Sequence, residues 1–184
     1  WTLYKHYGNI EVLRDCYESM IKWCDYLWSI SQGPIIRNPR YPTLNEGIKK
    51  RGFTFGDWVP PIGDDRTPNP HIGDDCYSTI YHFISTSLVA KISSILEDEK
   101  NVQFYQQRSE EIKKAFVKEF LKSSGRMAYN DQTSYAMAFA NDLIPDDYKE
   151  KTKQYFRQSI IDQHHRLGTG FHGTANLLKG LRNA

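Results

Sequence analysis

The chain has 184 residues, 25% of them charged, and its 24 Lys and Arg against 22 Asp and Glu leave a formal net charge of +2. That balance offers no basic excess for a nucleic-acid partner, and no window carries the ~18 consecutive apolar residues that a membrane span requires. The apolar fraction, 39%, is below the usual ~45–50% but sufficient for a core in a chain of this length.

From Asn9 to Trp28 the apolar residues Ile10, Leu13, Tyr17, Met20, Ile21, Cys24, Leu27 and Trp28 recur at three- and four-residue intervals, which predicts an amphipathic helix with Asn9 as its N-cap. Between Ser31 and Asp74 the helical pattern stops and prolines and glycines crowd the sequence. Loops this long are usually working surfaces or disordered, and the aromatic residues in Phe53-Thr54-Phe55-Gly56-Asp57-Trp58 favour an ordered surface. Asp74 or Asp75 is expected to cap a second helix ending near Glu97, and a third runs from about Val102 to Leu121, where Ser123-Ser124-Gly125 stops it. Shorter helical patterns follow over Thr133–Asn141, Asp146–His164 and Gly173–Leu181. No run alternates with period two for long enough to predict a strand.

The reading is an all-α chain of six helices with one long functional loop. An irregular bundle and an arc of antiparallel hairpins from a toroid both satisfy it, and the short links favour the hairpins. Cys16, Cys24 and Cys76 form no CxxC pair and no even-numbered framework, so they read as buried thiols rather than as a zinc site or a disulfide scaffold. Aromatic residues are 14% of the chain, and such rings both fill helical cores and stack on the C–H faces of sugars.

Three segments together resemble the catalytic domain of bacterial α-L-rhamnosidases, glycoside hydrolase family 78. They are Trp1-Thr2-Leu3-Tyr4-Lys5-His6-Tyr7-Gly8-Asn9, in which Asn9 stands where the family has Asp; Phe55-Gly56-Asp57-Trp58; and Asp131-Gln132-Thr133 through Leu143-Ile144-Pro145 combined with Leu167-Gly168-Thr169-Gly170-Phe171-His172-Gly173-Thr174. The resemblance implies part of an (α/α)6 barrel and an inverting mechanism, with a carboxylic acid and a carboxylate ~6.5–9.5 Å apart. It also implies that the general acid lies upstream of Trp1 and the general base downstream of the Thr-Gly-Phe loop. Residues 1–184 then form a single but incomplete segment of the barrel, without the catalytic pair and inactive alone.

Three residues carry the expected sugar contacts. Trp58, in its glycine-rich loop, is placed by the resemblance as a stacking platform; Asp57 offers a carboxylate to sugar hydroxyls; His172 lies in the turn that the resemblance puts at the barrel mouth. Each has a plainer use: Trp58 as a loop anchor, Asp57 as an acceptor of backbone N–H bonds, and His172 as an exposed residue at a helix start. Glu46, Asp64, Asp65, Asp74 and Asp75 read as turn and cap acids rather than as calcium ligands or a catalytic carboxylate pair, His164 and His165 as a solvated helix end, and Gln132, within reach of substrate from its helix start, as a residue that orders the preceding turn.

The resulting expectation is a rhamnosidase-like segment that takes a rhamnose-containing glycoside, needs no cofactor because both proton transfers involve carboxyl groups, and self-associates when isolated. A non-catalytic carbohydrate-binding helical domain, an inverting (α/α)6 hydrolase of another sugar, and a helical interaction domain remain as alternatives. Cytoplasmic, periplasmic and secreted locations are all compatible with it.

Overall fold

The computed structural model describes residues 1–37, 56–61 and 71–184, and those residues are helical with only two isolated β-bridges, Gln32 with Ile35 and Leu121 with Met127. The elements in chain order are α1 (Thr2–Tyr7), α2 (Glu11–Ile30), α3 (Asp74–Ile95), α4 (Glu99–Phe120), α5 (Gln132–Ala140), α6 (Asp146–Asp162) and α7 (Phe171–Asn183). No described helix is long and apolar enough to cross a membrane.

The helix starts differ from the sequence reading for identifiable reasons. The opening motif forms the short α1, which ends at Gly8 in the left-handed conformation (φ 67°). Ile10 takes the N-cap position of α2, while Asn9 still serves the helix start, its Oδ1 accepting from the Glu11 N–H at 3.0 Å. Gly73, not Asp74 or Asp75, is the N-cap of α3, because Tyr129 packs so close that a Cβ at position 73 would lie 2.0 Å from its ring. The two acids fall in the first turn, where the helix dipole favours negative charge. Asp98 caps α4 by accepting from the Asn101 N–H at 3.2 Å, so the helix begins at Glu99, ahead of the expected Val102.

Leu96–Asp98 links α3 to α4 so tightly that the two pack as hairpin neighbours, with Glu97 at φ 61° making the turn. α2 lies against α3, and the Tyr17 hydroxyl ties it there by bonding Ser93 Oγ at 2.6 Å and donating to Asp98 Oδ2 at 3.1 Å. The core is centred on α5, every residue of which is buried: Tyr135 to Ala140 are apolar, and the polar Gln132, Thr133 and Ser134 at its start are hydrogen-bonded. Tyr135 and Phe139 stack on Phe156 of α6, and Cys76, Ile80, Phe116, Phe120 and Met127 complete the same cluster. α7 approaches α5 through Gly180, where a Cβ would come within 2.5 Å of the Ala136 carbonyl oxygen. Cys24 and Cys76 are buried as read from the sequence, whereas Cys16 is exposed, at a depression between α2 and α3 that Leu88 also lines.

Candidate carbohydrate-binding site

The site is built where the Gly56–Pro61 segment crosses the start of α7. Gly170 is the N-cap, and its lack of a side chain lets the Asp57–Trp58 backbone come close: a Cβ there would sit 2.5 Å from the Trp58 carbonyl oxygen and 2.6 Å from that of Asp57. The Phe171 N–H donates to the Trp58 carbonyl at 2.8 Å.

Asp57 holds this crossing together. Its Oδ1 accepts from the backbone N–H groups of His172 at 2.9 Å and Gly173 at 2.8 Å, and its Oδ2 from the Gly170 N–H at 2.6 Å and the Thr133 hydroxyl. An ionised carboxylate has about four acceptor sites, and protein donors supply that number. The carboxylate therefore satisfies N–H groups that a helix start leaves unpaired and opposes the positive end of the α7 dipole. The expected direct contact between Asp57 and sugar hydroxyls gives way to this use, since the side chain is 8% exposed and its lone pairs are engaged. Gly173 makes the arrangement possible, because a Cβ at that position would lie 2.6 Å from Asp57 Oδ2 and 2.5 Å from Thr133 Oγ1.

Trp58 is presented outward by the anchor, 49% exposed, and with Val59, Phe171 and Thr174 it lines an open depression of about 570 Å³. Such an apolar, aromatic-sided wall suits the C–H face of a sugar. His172, in the first turn of α7, does not line that depression; its ring turns to α3, where Nδ1 lies 2.7 Å from the Tyr77 hydroxyl and the Tyr81 ring meets it edge-on at 5.6 Å. Burial pushes both tyrosine hydroxyls above their ordinary range, with the Asp57 charge acting in the same direction, so both stay protonated. The three residues chosen from sequence thus converge on one crossing. Tyr77, Tyr81 and Thr133 were missed; the signal for the tyrosines was an i, i+4 pair at the start of α3, easily absorbed into an apolar helix pattern.

Behind the crossing, Asp131 caps α5, accepting from the Ser134 N–H at 2.9 Å and the Ser134 hydroxyl, and burial raises its carboxyl to about 6. Gln132 orders not the turn before its own helix but the chain before α7: its Nε2 donates to the Arg166 carbonyl at 3.0 Å and its Oε1 accepts from the Gly168 N–H at 2.9 Å. His164 and His165 are exposed in the turn that ends α6, both at positive φ. Asp75 is engaged with the Tyr129 hydroxyl at 2.7 Å and its neighbour's N–H, and among the described residues no cluster of His, Cys, Asp and Glu has the make-up of a metal site. Glu46, Asp64 and Asp65 lie outside the described residues.

The family model of the bacterial alpha-L-rhamnosidase 6 hairpin glycosidase domain matches residues 1–184 of this chain. The chain belongs to that family. It is 26% identical to an alpha-L-rhamnosidase of Formosa agariphila over 175 residues, covering 95% of this chain and 17% of the relative, and 28% identical to one of Alteromonas sp. over 191 residues, covering 100% and 19%. It also superposes with a TM-score of 0.83 on the Streptomyces avermitilis alpha-L-rhamnosidase crystallised with L-rhamnose, at 26% identity over 100% of this chain and 16% of that one. The seven described helices are accordingly part of an (α/α)6 barrel of a glycoside hydrolase family, and this chain spans less than a fifth of the length of those relatives.

Proposed function

We propose that this segment supplies part of the wall that binds a terminal L-rhamnose in an inverting α-L-rhamnosidase. Trp58 stacks on the C–H face and methyl group of the sugar, His172 contacts one of its oxygens, and Asp57 positions both. The observation that carries the reading is the Asp57 anchor, which joins the loop bearing Trp58 to the helix start bearing His172 through four hydrogen bonds. A rigid first contact layer is what a sugar site needs, because hydroxyl recognition depends on donors and acceptors held in place before the ligand arrives. The acid that protonates the leaving oxygen and the base that activates water belong to the full-length protein beyond these 184 residues, so the segment is inactive by itself.

The test is release of nitrophenol from nitrophenyl α-L-rhamnoside by the full-length protein and by the 184-residue chain side by side. Hydrolysis with inverted product stereochemistry in the full-length protein alone is the expected result, and Trp58→Ala is expected to raise KM by about tenfold or more, the equivalent of roughly 1.4 kcal/mol or more of lost binding. Activity of the short chain would overturn the assignment of acid and base outside it. A full-length protein that ignores rhamnosides would move the reading to another sugar or to a binding role.

A further inference from the structure

Among the described residues the imidazole of His172 makes a hydrogen bond at one ring nitrogen only. Nδ1 is 2.7 Å from the Tyr77 hydroxyl, and the ring is braced edge-on by Tyr81 and Phe171 with centroids at 5.6 and 5.3 Å. Among the described residues Nε2 has no hydrogen-bond partner, and the side chain is half-buried. Tyr77 is itself fixed: it is buried on α3 and its ring packs on Tyr81 at 5.0 Å.

The polarity of the bond between Tyr77 and His172 follows from acid–base strength. A phenol O–H is a stronger acid than a neutral imidazole N–H, and the bare ring nitrogen is a stronger base than a phenol oxygen, so the favoured bond runs from the Tyr77 O–H to Nδ1. Asp57, the carboxylate whose charge both phenols sense, is already filled by four donors and cannot draw the Tyr77 proton away from the ring. With Nδ1 accepting, the proton of the neutral ring resides on Nε2, which has no partner among the described residues.

The geometry points to Tyr77 as a positioning residue that sets His172 as a neutral Nε2–H donor to a hydroxyl oxygen of the bound sugar. This assignment rests on the rhamnose-binding reading and adds to it the group that makes the contact and the residue that orients it.

The experiment uses the full-length protein and L-rhamnose affinity by calorimetry, with KM and kcat on nitrophenyl α-L-rhamnoside, for wild type, Tyr77→Phe, His172→Gln, His172→Ala and the Tyr77→Phe/His172→Gln double variant. Glutamine puts an amide N–H near the place of Nε2 and has no tautomer for Tyr77 to set. Tyr77→Phe is expected to weaken binding about 3- to 10-fold in the wild-type background, the effect of one neutral hydrogen bond, and by less than about twofold when residue 172 is Gln. His172→Gln should stay within about threefold of wild type while His172→Ala loses about tenfold. An equal penalty for Tyr77→Phe in both backgrounds, or the same loss for Gln and Ala at position 172, overturns the assignment, and the second comparison stands even if Tyr77→Phe fails to fold. A wild-type protein that does not bind L-rhamnose overturns the underlying reading, whereas one that binds it normally but is indifferent at both positions overturns this inference alone.

Discussion

Helices α5 and α7 pack against each other yet live in different environments. Every residue of α5 is buried, while α7 buries only Gly173 and Gly180 and leaves Phe171, Leu178 and Leu181 exposed, Leu178 at 81%. The contrast teaches where the described helices cover one another and where they leave apolar surface exposed. α5 has partners all round within the described residues, whereas α7 has one glycine-lined face docked on α5 and an apolar stripe, at i, i+7 and i+10, turned outward. The proposed sugar site sits at the seam between them, where Asp57 joins the α7 start to Thr133 of α5.

The α5 side should be the costliest to disturb. Phe139→Ala removes a ring that is 2% exposed and stacked on Phe156, and is expected to destabilise the protein by about 3–5 kcal/mol in urea titration. Removing the seam comes next: Asp57→Ala leaves three N–H groups at the α7 start without an acceptor, for a loss of about 3 kcal/mol, with KM for rhamnosides rising because Trp58 and His172 lose their support.

Asp131 sharpens the comparison by pH. Its carboxyl is raised to about 6 in the folded chain from 3.8, so the folded state binds more protons between those values and stability falls as pH rises from about 4 through 6. A tenfold change in acidity is worth about 1.36 kcal/mol, so the part contributed by Asp131 is about 3 kcal/mol. Urea midpoints across pH 4–7 should show this slope in the wild type and a shallower one in Asp131→Asn.

Gly180→Ala forces a Cβ to within 2.5 Å of the α5 backbone at Ala136, and about 1–3 kcal/mol of destabilisation is expected, read as a fall in Tm. The smallest effect belongs to the outward face of α7. Leu178→Ser should change the stability of the isolated chain by less than about 0.5 kcal/mol and reduce the self-association expected of it in sedimentation. A wild-type chain that sediments as a monomer would break this side of the comparison.

The long helices were legible because their apolar residues recur with helical period, as in α2 and α4, and the site residues because glycine, aspartate and tryptophan crowd one loop. Cap positions were less so. Gly73 rather than Asp74 starts α3 because of the Tyr129 ring, a contact 56 residues away in sequence that no local pattern registers. The missed tyrosines have the same explanation: Tyr77 matters through His172, 95 residues on.

By itself the sequence determined the all-α class, the positions of the main helices, the family, and the convergence of interest on Asp57, Trp58 and His172, since periodicity and motif spacing are local properties of the chain. The tertiary structure alone decided what those residues touch. Asp57 becomes an anchor because α7 ends its backbone N–H groups on it, Trp58 becomes a wall because Gly170 admits the loop so closely, and His172 acquires an oriented edge because α3 brings Tyr77 to its Nδ1. Hydrogen bonds act over about 3 Å in space, a distance that separation along the chain does not encode.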